Sequence, residues 1–276
     1  MKTSLIKIHT ENSDFQHIET LRRNRAKRAR SGEFFVEGVR AITQAVAHGW
    51  EFSALAYSRE KRLSDWAEGI IATAGAKKHF ELPLRLMDKL SQKEDASELI
   101  ALVSMPADEL TRIPVGNVPL VVVLDRPSSP GNLGTVIRSC DALGADGLVV
   151  TGHAADLYDP ETIRATTGSF FSLPSVRLPS HKALLPWIEG LKMQFDTLQI
   201  VGTSARADTA VHQHDLTLPT ILLVGNETAG LSDAYQALCD VMLAIPMSSG
   251  SASSLNMACA ASILLYEVSR QRGAKR

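Results

Sequence analysis

Five apolar runs in the second half of the chain constrain its fold more than any other feature. They read VPLVVVLD, GLVVTG, LQIVGTS, TILLVGNE and VMLAIPM, and all lie between residues 118 and 247. A strand that is apolar at nearly every position is covered on both faces, which is typical of parallel sheets. Helical patterns separate and follow these runs, as the crossovers of a parallel sheet require. Residues 118–276 are therefore predicted to form an α/β domain, a parallel sheet with helices on both faces.

The first half of the chain has shorter strand and helix patterns that also alternate. An extended FFV leads into a helical run, and further apolar strand patterns follow at FSALAYS, HFELPL and ELIALVSM. We predict a second, small α/β domain over residues 15–105, after a tail at 1–14. Residues 106–117 are rich in proline and carry a glycine, so they are predicted to be a linker.

The composition is that of an ordinary globular protein, with 45% hydrophobic and 21% charged residues. The net charge of −1 excludes a general electrostatic attraction to nucleic acid but allows local basic patches. Neither a signal-peptide pattern nor an apolar run long enough for a bilayer occurs. Three cysteines, Cys140, Cys239 and Cys259, form no CxxC pair. We predict a cytoplasmic protein with reduced, buried thiols.

The most basic segment reads LRRNRAKRAR and includes Arg22, Arg23, Lys27 and Arg28. One interpretation is a solvated helix whose charges only keep it soluble. The other is a surface for RNA phosphates, because clustered Lys and Arg release counterions from a nucleic-acid backbone. The charge pattern alone does not choose between them. The segment contains no aromatic residue on which a base could stack. If it binds RNA, we therefore expect these four residues to contact phosphate without reading bases.

Three of the predicted strands end in polar or small residues, where open α/β sheets bind their ligands. The segments are DRPSSPGNLGTVIRS, VGNETAGLS and IPMSSGSASSLN. They contain neither the GxGxxG pattern of dinucleotide-binding folds nor a phosphate-binding P-loop. The HQH at 212–214 lacks a third ligand at metal spacing, so we predict no metal site.

Two of these segments carry residues with both a structural and a functional interpretation. Ser254 is a natural N-cap for the helix that Leu255 and Asn256 open. The small residues at 247–254 are either a flexible loop before that helix or a loop that folds over a flat ligand, with Asn256 in the site. Arg138 lies beside an apolar helix face, either as an exposed arginine with a packed stem or as the partner of a phosphate.

The three segments, in this order, resemble the motifs of the SpoU family of RNA ribose methyltransferases, in the SPOUT superfamily. The resemblance runs through DRPSSPGNLGTVIRSCDALGAD, LVGNETAGLS and IPMSSGSASSLNMACAASILLYEV. The N-terminal half is similar to the RNA-binding domain that many members carry, most clearly at FFVEGVRAI. Family membership implies a C-terminal sheet with a deep trefoil knot, which goes against the general rule that chains do not thread loops. It also implies a homodimer that takes S-adenosylmethionine as its cofactor.

The resemblance also assigns individual residues. The first motif's catalytic pair corresponds to Asn132 and Arg138, the second motif's acid to Glu227, and the third motif's polar pair to Ser254 and Asn256. The cofactor contacts correspond to these residues: Thr203, Gly225, Ile245 and Leu255. Two features depart from the family pattern. The spacing from Met247 to Ser254 is one residue longer, and Thr228 replaces a common glycine, which is expected to change the turn after Glu227.

The predicted function is transfer of a methyl group from S-adenosylmethionine to a ribose 2′-hydroxyl of rRNA or tRNA. Arg138 is expected to act either as the base or as an anchor for phosphate and the developing alkoxide. One alternative is a non-catalytic RNA-binding or assembly factor with the same fold, but the complete set of motif residues disfavours it. Another is a nucleotide-binding oxidoreductase, which the missing glycine fingerprint disfavours.

Overall fold

The computed structural model describes residues 4–91, 97–248 and 253–273, and the chain divides into two compact units. The first unit comprises residues 1–107 and 158–172. The second unit comprises residues 108–157 and 173–276. Each unit is organised around a sheet of its own.

The first unit is a mixed five-stranded sheet covered by short helices. Its elements are β1 (Ser4–Lys7), α1 (Ser13–Arg23), α2 (Arg25–Ser31), β2 (Glu33–Glu37), α3 (Val39–Ala47), β3 (Phe52–Tyr57), α4 (Asp65–Thr73), β4 (Lys78–Glu81), α5 (Leu84–Leu90), β5 (Leu99–Ser104) and, from the second half of the chain, α7 (Pro160–Ala165). The strand order is β1-β4-β3-β5-β2; the β1–β4 and β4–β3 pairs are parallel and the other two are antiparallel. The small α/β domain predicted from the sequence has this architecture.

Asparagine caps fix the first two helices, which carry the basic segment. The Asn12 side chain accepts the backbone N–H of Phe15 at 3.1 Å and starts α1. The Asn24 side chain accepts the N–H of Lys27 at 3.1 Å and starts α2 immediately after α1 ends. Such caps satisfy donors that the first helical turn leaves unpaired. One face of α1 enters the core through Phe15, Ile18 and Leu21.

Two boundaries predicted from the sequence differ from those in the structure. Residues 1–14 are not simply a tail, because β1 pairs in parallel with β4 and the first turn of α1 begins at Ser13. The segment 158–172 belongs to the first unit. Its aromatic rings pack there, with Phe170 5.8 Å from Phe34 and 5.4 Å from Trp50 between ring centroids. Apolar burial in tertiary structure decides this assignment, and sequence order does not reveal it.

The second unit contains an all-parallel seven-stranded sheet, which confirms the predicted α/β fold class. Its elements are β6 (Leu120–Asp125), α6 (Pro130–Leu143), β7 (Gly147–Thr151), β8 (Ser175–Leu178), α8 (Leu185–Gln194), β9 (Gln199–Thr203), β10 (Thr209–Ala210), β11 (Thr220–Val224), α9 (Asp233–Gln236), β12 (Val241–Ala244) and α10 (Met257–Gly273). The strand order is β10-β12-β9-β11-β6-β7-β8. β8 and β10 were not among the five predicted strands. The trefoil knot remains a prediction.

Central strands of this sheet are buried along their whole length, as their sequences predict. All six residues of β6 and all five of β11 are buried. One face of the sheet packs on α8 and α9 through residues such as Ile188 and Tyr235. The α6 helix buries an apolar side that includes Val136 and Ile137, and α6 packs against α10. The sheet therefore holds the carboxyl ends of its strands in fixed positions.

Part of the predicted linker, residues 106–117, is integrated in the second unit. Asp108 accepts from Arg177, with 2.9 Å to Nε and 2.7 Å to Nη2. Ile113 is buried against Gly147, where even a methyl group on the glycine would meet its side chain at 2.7 Å. These contacts make residues 108–113 a structural part of the sheet's edge.

Across the described residues, no helix combines the length and apolar character needed to cross a bilayer.

Candidate active site

The carboxyl ends of four neighbouring strands in the second unit gather most of the predicted site residues. β12, β9, β11 and β6 are adjacent and parallel, so their carboxyl ends share one edge of the sheet. Thr203 ends β9, Gly225 follows β11 and Ile245 follows β12. This edge is where α/β sheets bind ligands.

Glu227 is the most heavily hydrogen-bonded carboxylate at this edge. Its Oε2 accepts the backbone N–H of Ser128 at 2.9 Å and the Ser128 hydroxyl at 2.8 Å. Its Oε1 accepts the backbone N–H of Ser129 at 3.1 Å and the Asn132 side-chain amide at 3.2 Å. Ser129 is the N-cap of α6, so the carboxylate lies at the positive end of that helix. Glu227 therefore ties the second motif to the first.

These contacts keep Glu227 ionised. Partial burial alone would raise the pKa of its carboxyl group, but the hydrogen bonds from Ser128 and Asn132 outweigh burial and lower the pKa to about 2. A carboxylate with this pKa carries no proton near neutral pH. The motif's acid is therefore a fixed negative charge here and has no proton to donate.

Asn256 joins the third motif to the first. Its side-chain amide donates to Oδ1 of Asn132 at 3.2 Å. Its own Oδ1 accepts the backbone N–H of Ala258 at 2.9 Å and of Cys259 at 3.3 Å, which caps α10. The prediction that Ser254 is the N-cap is wrong, because α10 begins at Met257 and Asn256 occupies the capping position. Ser254 lies exposed just before this cap.

Arg138 lies on α6, exposed, about one and two-thirds turns after Asn132. Six residues along a helix correspond to about 9 Å of rise, and the two side chains leave the axis about 120° apart. Long helical side chains point back toward the N-terminus, which turns the guanidinium toward the strand edge. Within the part of the chain that the structure describes, this guanidinium has no hydrogen bond or ion pair. It is available to an anionic ligand.

The predicted cofactor residues suit a ligand held by backbone groups. A methyl group on Gly225 would meet the backbone of Gly230 and Leu231 at 2.2 Å, so only glycine fits where these segments approach. Thr203 and Ile245 are half-buried, and Leu255 is exposed just before α10, after the small residues of the third motif. Partly open backbone at adjacent strand ends fits the flat, polar and apolar surface of S-adenosylmethionine.

The turn after Glu227 accommodates Thr228 without strain. Asn226 accepts the backbone N–H of Thr228 at 2.9 Å through its side-chain oxygen. It also pairs with Gly230 through two backbone hydrogen bonds of 3.0 Å. The left-handed residue of this turn is Gly230, with φ 67°, and not residue 228. A threonine at position 228, in place of the glycine of the family pattern, is therefore compatible with the hydrogen bonds that close this turn.

Several contributors to the site escaped the sequence analysis. Ser128 donates to the Glu227 carboxylate, and the Asn226 side chain accepts a backbone N–H in the loop that carries Glu227. Asn226 also donates to the backbone oxygen of Arg126 at 2.7 Å. Arg126 has φ 53°, which is rare for a residue with a side chain, and it forms a two-point ion pair with the buried Asp125 at 2.8 and 3.1 Å. The serine-rich composition of the first motif is the only sequence signal for these contacts.

The four predicted RNA-binding residues of the first unit divide into two pairs. Arg22 is 8% exposed and donates to the backbone oxygens of Leu90 and Lys89, at 2.7 and 3.0 Å, where α5 ends. Arg28 is 1% exposed and pairs with Asp159 at 3.1 Å. These two are corrected to structural residues, because their charges are satisfied inside the unit. Arg23 and Lys27 are exposed.

Three further expectations have different outcomes. Residues 249–252, where the extra residue of the third motif was expected to shift the register, lie outside the described residues. The prediction of buried thiols is right for Cys140 and wrong for Cys259, which lies on the exposed side of α10. Among the described residues, no three His, Cys, Asp or Glu side chains are grouped to hold a metal ion.

Comparison with known families matches both halves of the chain. The model of the SpoU rRNA Methylase family matches residues 119–266, and that of the SpoU L30e-like domain matches residues 12–101. A relative named 23S rRNA (uridine(2479)-2′-O)-methyltransferase, from Streptomyces viridochromogenes, is 49% identical over 96% of this chain and 92% of its own length.

Solved structures resemble the whole chain as well. The SpoU methyltransferase AviRb from Streptomyces viridochromogenes, in complex with the cofactor AdoMet, is 49% identical and superposes with a TM-score of 0.87 over 95% of this chain and 100% of its own. An AdoMet-bound rRNA methyltransferase from Sinorhizobium meliloti is 28% identical, with a TM-score of 0.83 over 96% of this chain and 98% of its own.

Proposed function

The chain belongs to the SpoU rRNA methylase family, and on this premise we propose that it methylates a uridine ribose of 23S rRNA. It is an RNA ribose 2′-O-methyltransferase that uses S-adenosylmethionine. The relative named for a 23S rRNA uridine shares 49% identity across 92% of its length, which supports both the RNA and the nucleotide of the proposal.

The observation that carries the catalytic assignment is the connected set of Asn256, Asn132 and Glu227. Two hydrogen bonds of 3.2 Å join these side chains from three separate motifs. They lie in the second unit, whose strand ends also carry Thr203, Gly225 and Ile245. A scaffold that only bound RNA would not need this arrangement. It supports an enzyme over the non-catalytic assembly factor.

S-adenosylmethionine, when bound, supplies an activated methyl group, so the protein's residues mainly have to position the ribose oxygen. We assign the cofactor to Thr203, Gly225, Ile245 and Leu255. The Asn132 amide, held between Glu227 and Asn256, presents a fixed dipole to the ribose. Because Glu227 is ionised and its oxygens are occupied by donors, it acts as a positioning residue for Asn132 and takes no proton.

Arg138 is assigned to the substrate phosphate and to the oxygen that becomes negative as the hydroxyl loses its proton. Guanidinium groups stay protonated in proteins, which makes Arg138 a poor base and a good anchor. Its exposed position leaves its donors open to RNA. We also assign Ser254, which is exposed near Asn256, as a polar contact of the same substrate.

We also propose that the protein works as a homodimer in the cytoplasm, where ribosomal RNA is assembled. The α10 helix turns an apolar stripe outward, with Ile263 40% and Tyr266 59% exposed. On the helix that packs beside it, α6, Arg138 and Ala142 are exposed too. Apolar residues grouped on a surface mark sites of protein association. A second copy covering this stripe would lie next to Arg138.

Mapping of ribose methylation on 23S rRNA tests the function directly. RNA from cells with and without the gene is analysed by mass spectrometry, and one 2′-O-methyluridine should disappear with the gene and return with the wild-type copy. The Asn132→Ala copy is the control and should not restore it. If deletion of the gene leaves the methylation of 23S rRNA unchanged and removes a methyl group from a tRNA, the proposed substrate is wrong.

A further inference from the structure

Arg126, directly after β6, holds a left-handed backbone conformation. Its φ is 53°, and among the described residues only one other non-glycine residue, Thr167 with φ 50°, has a positive φ. In a residue with a side chain this conformation brings Cβ close to the following carbonyl oxygen and costs free energy, which glycine avoids. Such residues persist only where the surrounding contacts fix them, and they concentrate at functional sites.

Contacts from β6 and β7 hold Arg126 in this conformation. Its guanidinium forms the two-point ion pair with Asp125, the last residue of β6, which is 3% exposed. The stem of the side chain lies against Gly152, where a methyl group would meet Cγ of Arg126 at 2.8 Å. The backbone N–H of Arg126 donates to the carbonyl oxygen of Thr151, at the end of β7, at 3.1 Å. Both the side chain and the backbone of Arg126 are therefore fixed.

The conformation directs the carbonyl group of Arg126 to the turn that carries Glu227. This carbonyl oxygen accepts the side-chain N–H of Asn226 at 2.7 Å. Asn226 closes the turn, because it makes two backbone hydrogen bonds of 3.0 Å with Gly230 and its side-chain oxygen accepts the N–H of Thr228 at 2.9 Å. The turn is thus attached to β6 through a single carbonyl group, one residue before Glu227.

The carboxylate of Asp125 attaches the other end of the same loop. Its Oδ2 accepts the backbone N–H of Ser232, the N-cap of α9, at 2.9 Å. Burial alone would raise the pKa of the Asp125 carboxyl group, but the hydrogen bonds from Arg126 and Ser232 lower it below its usual value. The ionised carboxylate only accepts hydrogen bonds, so it serves both donors at once. The loop is therefore held at both ends by two consecutive residues.

This attachment reaches the reacting site through Glu227. The carboxylate of Glu227 accepts the Asn132 amide at 3.2 Å, and a displaced turn would move the carboxylate away from that amide. Misplacement of reacting groups by about 1 Å is enough to slow an enzyme by orders of magnitude. The position of the turn therefore decides how the Asn132 amide is oriented.

We infer that Arg126 is a positioning residue for methyl transfer and that it acts through its backbone. The left-handed conformation aims its carbonyl group at Asn226, which fixes Glu227 against Asn132, and the ion pair with Asp125 keeps a non-glycine residue in that conformation. The inference rests on the proposed function for its reaction. It assigns Arg126 no contact with substrate or cofactor.

The test compares Arg126→Ala with Arg126→Gly in the full chain, with S-adenosylmethionine and a 23S rRNA transcript. Both variants lose the guanidinium, but only glycine adopts the left-handed conformation without strain. Arg126→Ala should lower kcat by roughly ten-fold to 100-fold and leave the KM for RNA unchanged, because its carbonyl group turns away from Asn226. Arg126→Gly should keep a kcat close to that of the wild type. A role of the side chain alone predicts the same loss in both variants.

The same comparison in an Asp125→Asn background covers the case in which loss of the guanidinium unfolds the chain. Asparagine fills the same volume, still accepts the N–H of Ser232 through its oxygen, and leaves no unpaired charge in the interior. The glycine double variant should again turn over faster than the alanine double variant, by a similar factor. Equal kcat values for alanine and glycine at position 126 would show that the inference is wrong.

The matched control is the pair Thr167→Ala and Thr167→Gly. Thr167 has nearly the same φ as Arg126 and lies in the first unit. At both positions the glycine variant should melt at a higher temperature than the alanine variant, because only alanine is strained. The kcat should differ between alanine and glycine only at position 126. A kcat that follows the melting temperature at both positions would make Arg126 a purely structural residue.

Crystal structures of the two Arg126 variants separate this inference from the proposed function. The hydrogen bond from the Asn226 amide to the carbonyl group of residue 126 should persist in the glycine variant and be absent from the alanine variant. An alanine variant that keeps this hydrogen bond overturns the inference, whatever its kcat. A wild type that transfers no methyl group to 23S rRNA overturns the proposed function alone, because the structures still test the arrangement.

Discussion

Asn256 donates its side-chain amide to Oδ1 of Asn132 at 3.2 Å, across a sequence separation of 124 residues. The same side chain caps α10 by accepting the N–H of Ala258 at 2.9 Å. Since Oδ1 of Asn132 is held by Asn256, its amide nitrogen is turned to Glu227. One asparagine thus starts a helix and fixes the orientation of another motif's amide.

Substitution of Asn256 can separate these two roles. Aspartate caps helices as well as asparagine does, but it cannot donate to Asn132 and places a negative charge against its oxygen. Asn256→Asp should keep the melting temperature and lose activity, whereas Asn256→Ala should lose activity and about 1 kcal/mol of stability. Thermal unfolding and kcat measurements on both variants check this. Wild-type turnover in the aspartate variant would contradict it.

Glu227 is expected to make folding stability depend on pH in acid. Its pKa is about 2 in the folded chain, against about 4.3 for an ordinary glutamate. A lowered folded pKa contributes stability that is present above about pH 4.3 and is lost as the pH falls toward 2. Urea unfolding of wild type and Glu227→Gln should therefore differ most near neutral pH and converge in acid.

The control for this series is Glu189→Gln, which changes an exposed carboxylate on α8. Its unfolding free energy should follow that of the wild type at every pH. A constant gap between Glu227→Gln and wild type from pH 7 to pH 2 would mean that the carboxylate charge does not contribute. In that case the hydrogen bonds to Ser128 and Asn132 would not require an ionised partner.

The apolar runs were sufficient to predict the sheet of the second unit, because only strands covered on both faces are apolar along their length. They could not reveal β8, whose sequence SVRL is short and not apolar throughout, nor the two-residue β10. Periodicity also missed that residues 158–172 pack in the first unit. Their aromatic partners, Phe34 and Trp50, are more than a hundred residues away in sequence.

For the site, the motifs located the residues but not what each side chain does. Glu227 was identified as the second motif's acid, and only its contacts with Ser128 and Ser129 reveal a fixed anion. Ser254 and Asn256 are both good caps by residue type, so sequence could not choose between them. In the basic segment, charge is visible in sequence, but the burial of Arg22 and Arg28 depends on partners at Leu90 and Asp159.

Arg138 is expected to be required for methyl transfer and not for cofactor binding. Arg138→Ala should lower kcat by roughly 100-fold or more, while the Kd for S-adenosylmethionine stays within a few-fold in calorimetry. Arg138→Lys should not restore activity, because an ammonium lacks the planar fork that binds a phosphate at two points. Near-normal turnover by the lysine variant would contradict the role of an oriented phosphate anchor.

The buried arginines of the first unit should affect stability and not the salt dependence of RNA binding. Arg28→Gln removes a buried guanidinium that pairs with the partly exposed Asp159 and donates to the backbone oxygens of Leu21 and Arg22, and the loss of these contacts should cost about 1 to 3 kcal/mol. Arg23→Gln, on the exposed side of α1, is the matched control and should cost less than about 1 kcal/mol. Urea unfolding of both variants measures the difference. Equal stability of the two variants would mean that Arg28 is not an internal anchor.

A charged substitution in the exposed apolar stripe of α10 should abolish dimerisation and methyl-transfer activity together. Tyr266→Glu places a charge where 59% of a tyrosine is exposed, and Met193→Glu is the control because Met193 is 87% exposed on α8, in the same unit. Light scattering should give a dimer for wild type and Met193→Glu and a monomer for Tyr266→Glu. Since Ser139 and Ser262 meet at 2.7 Å where α6 packs on α10, a partner covering the stripe would adjoin Arg138. Turnover should therefore fall in proportion to the monomer fraction, and a fully active monomer would exclude a contribution of the partner to the site.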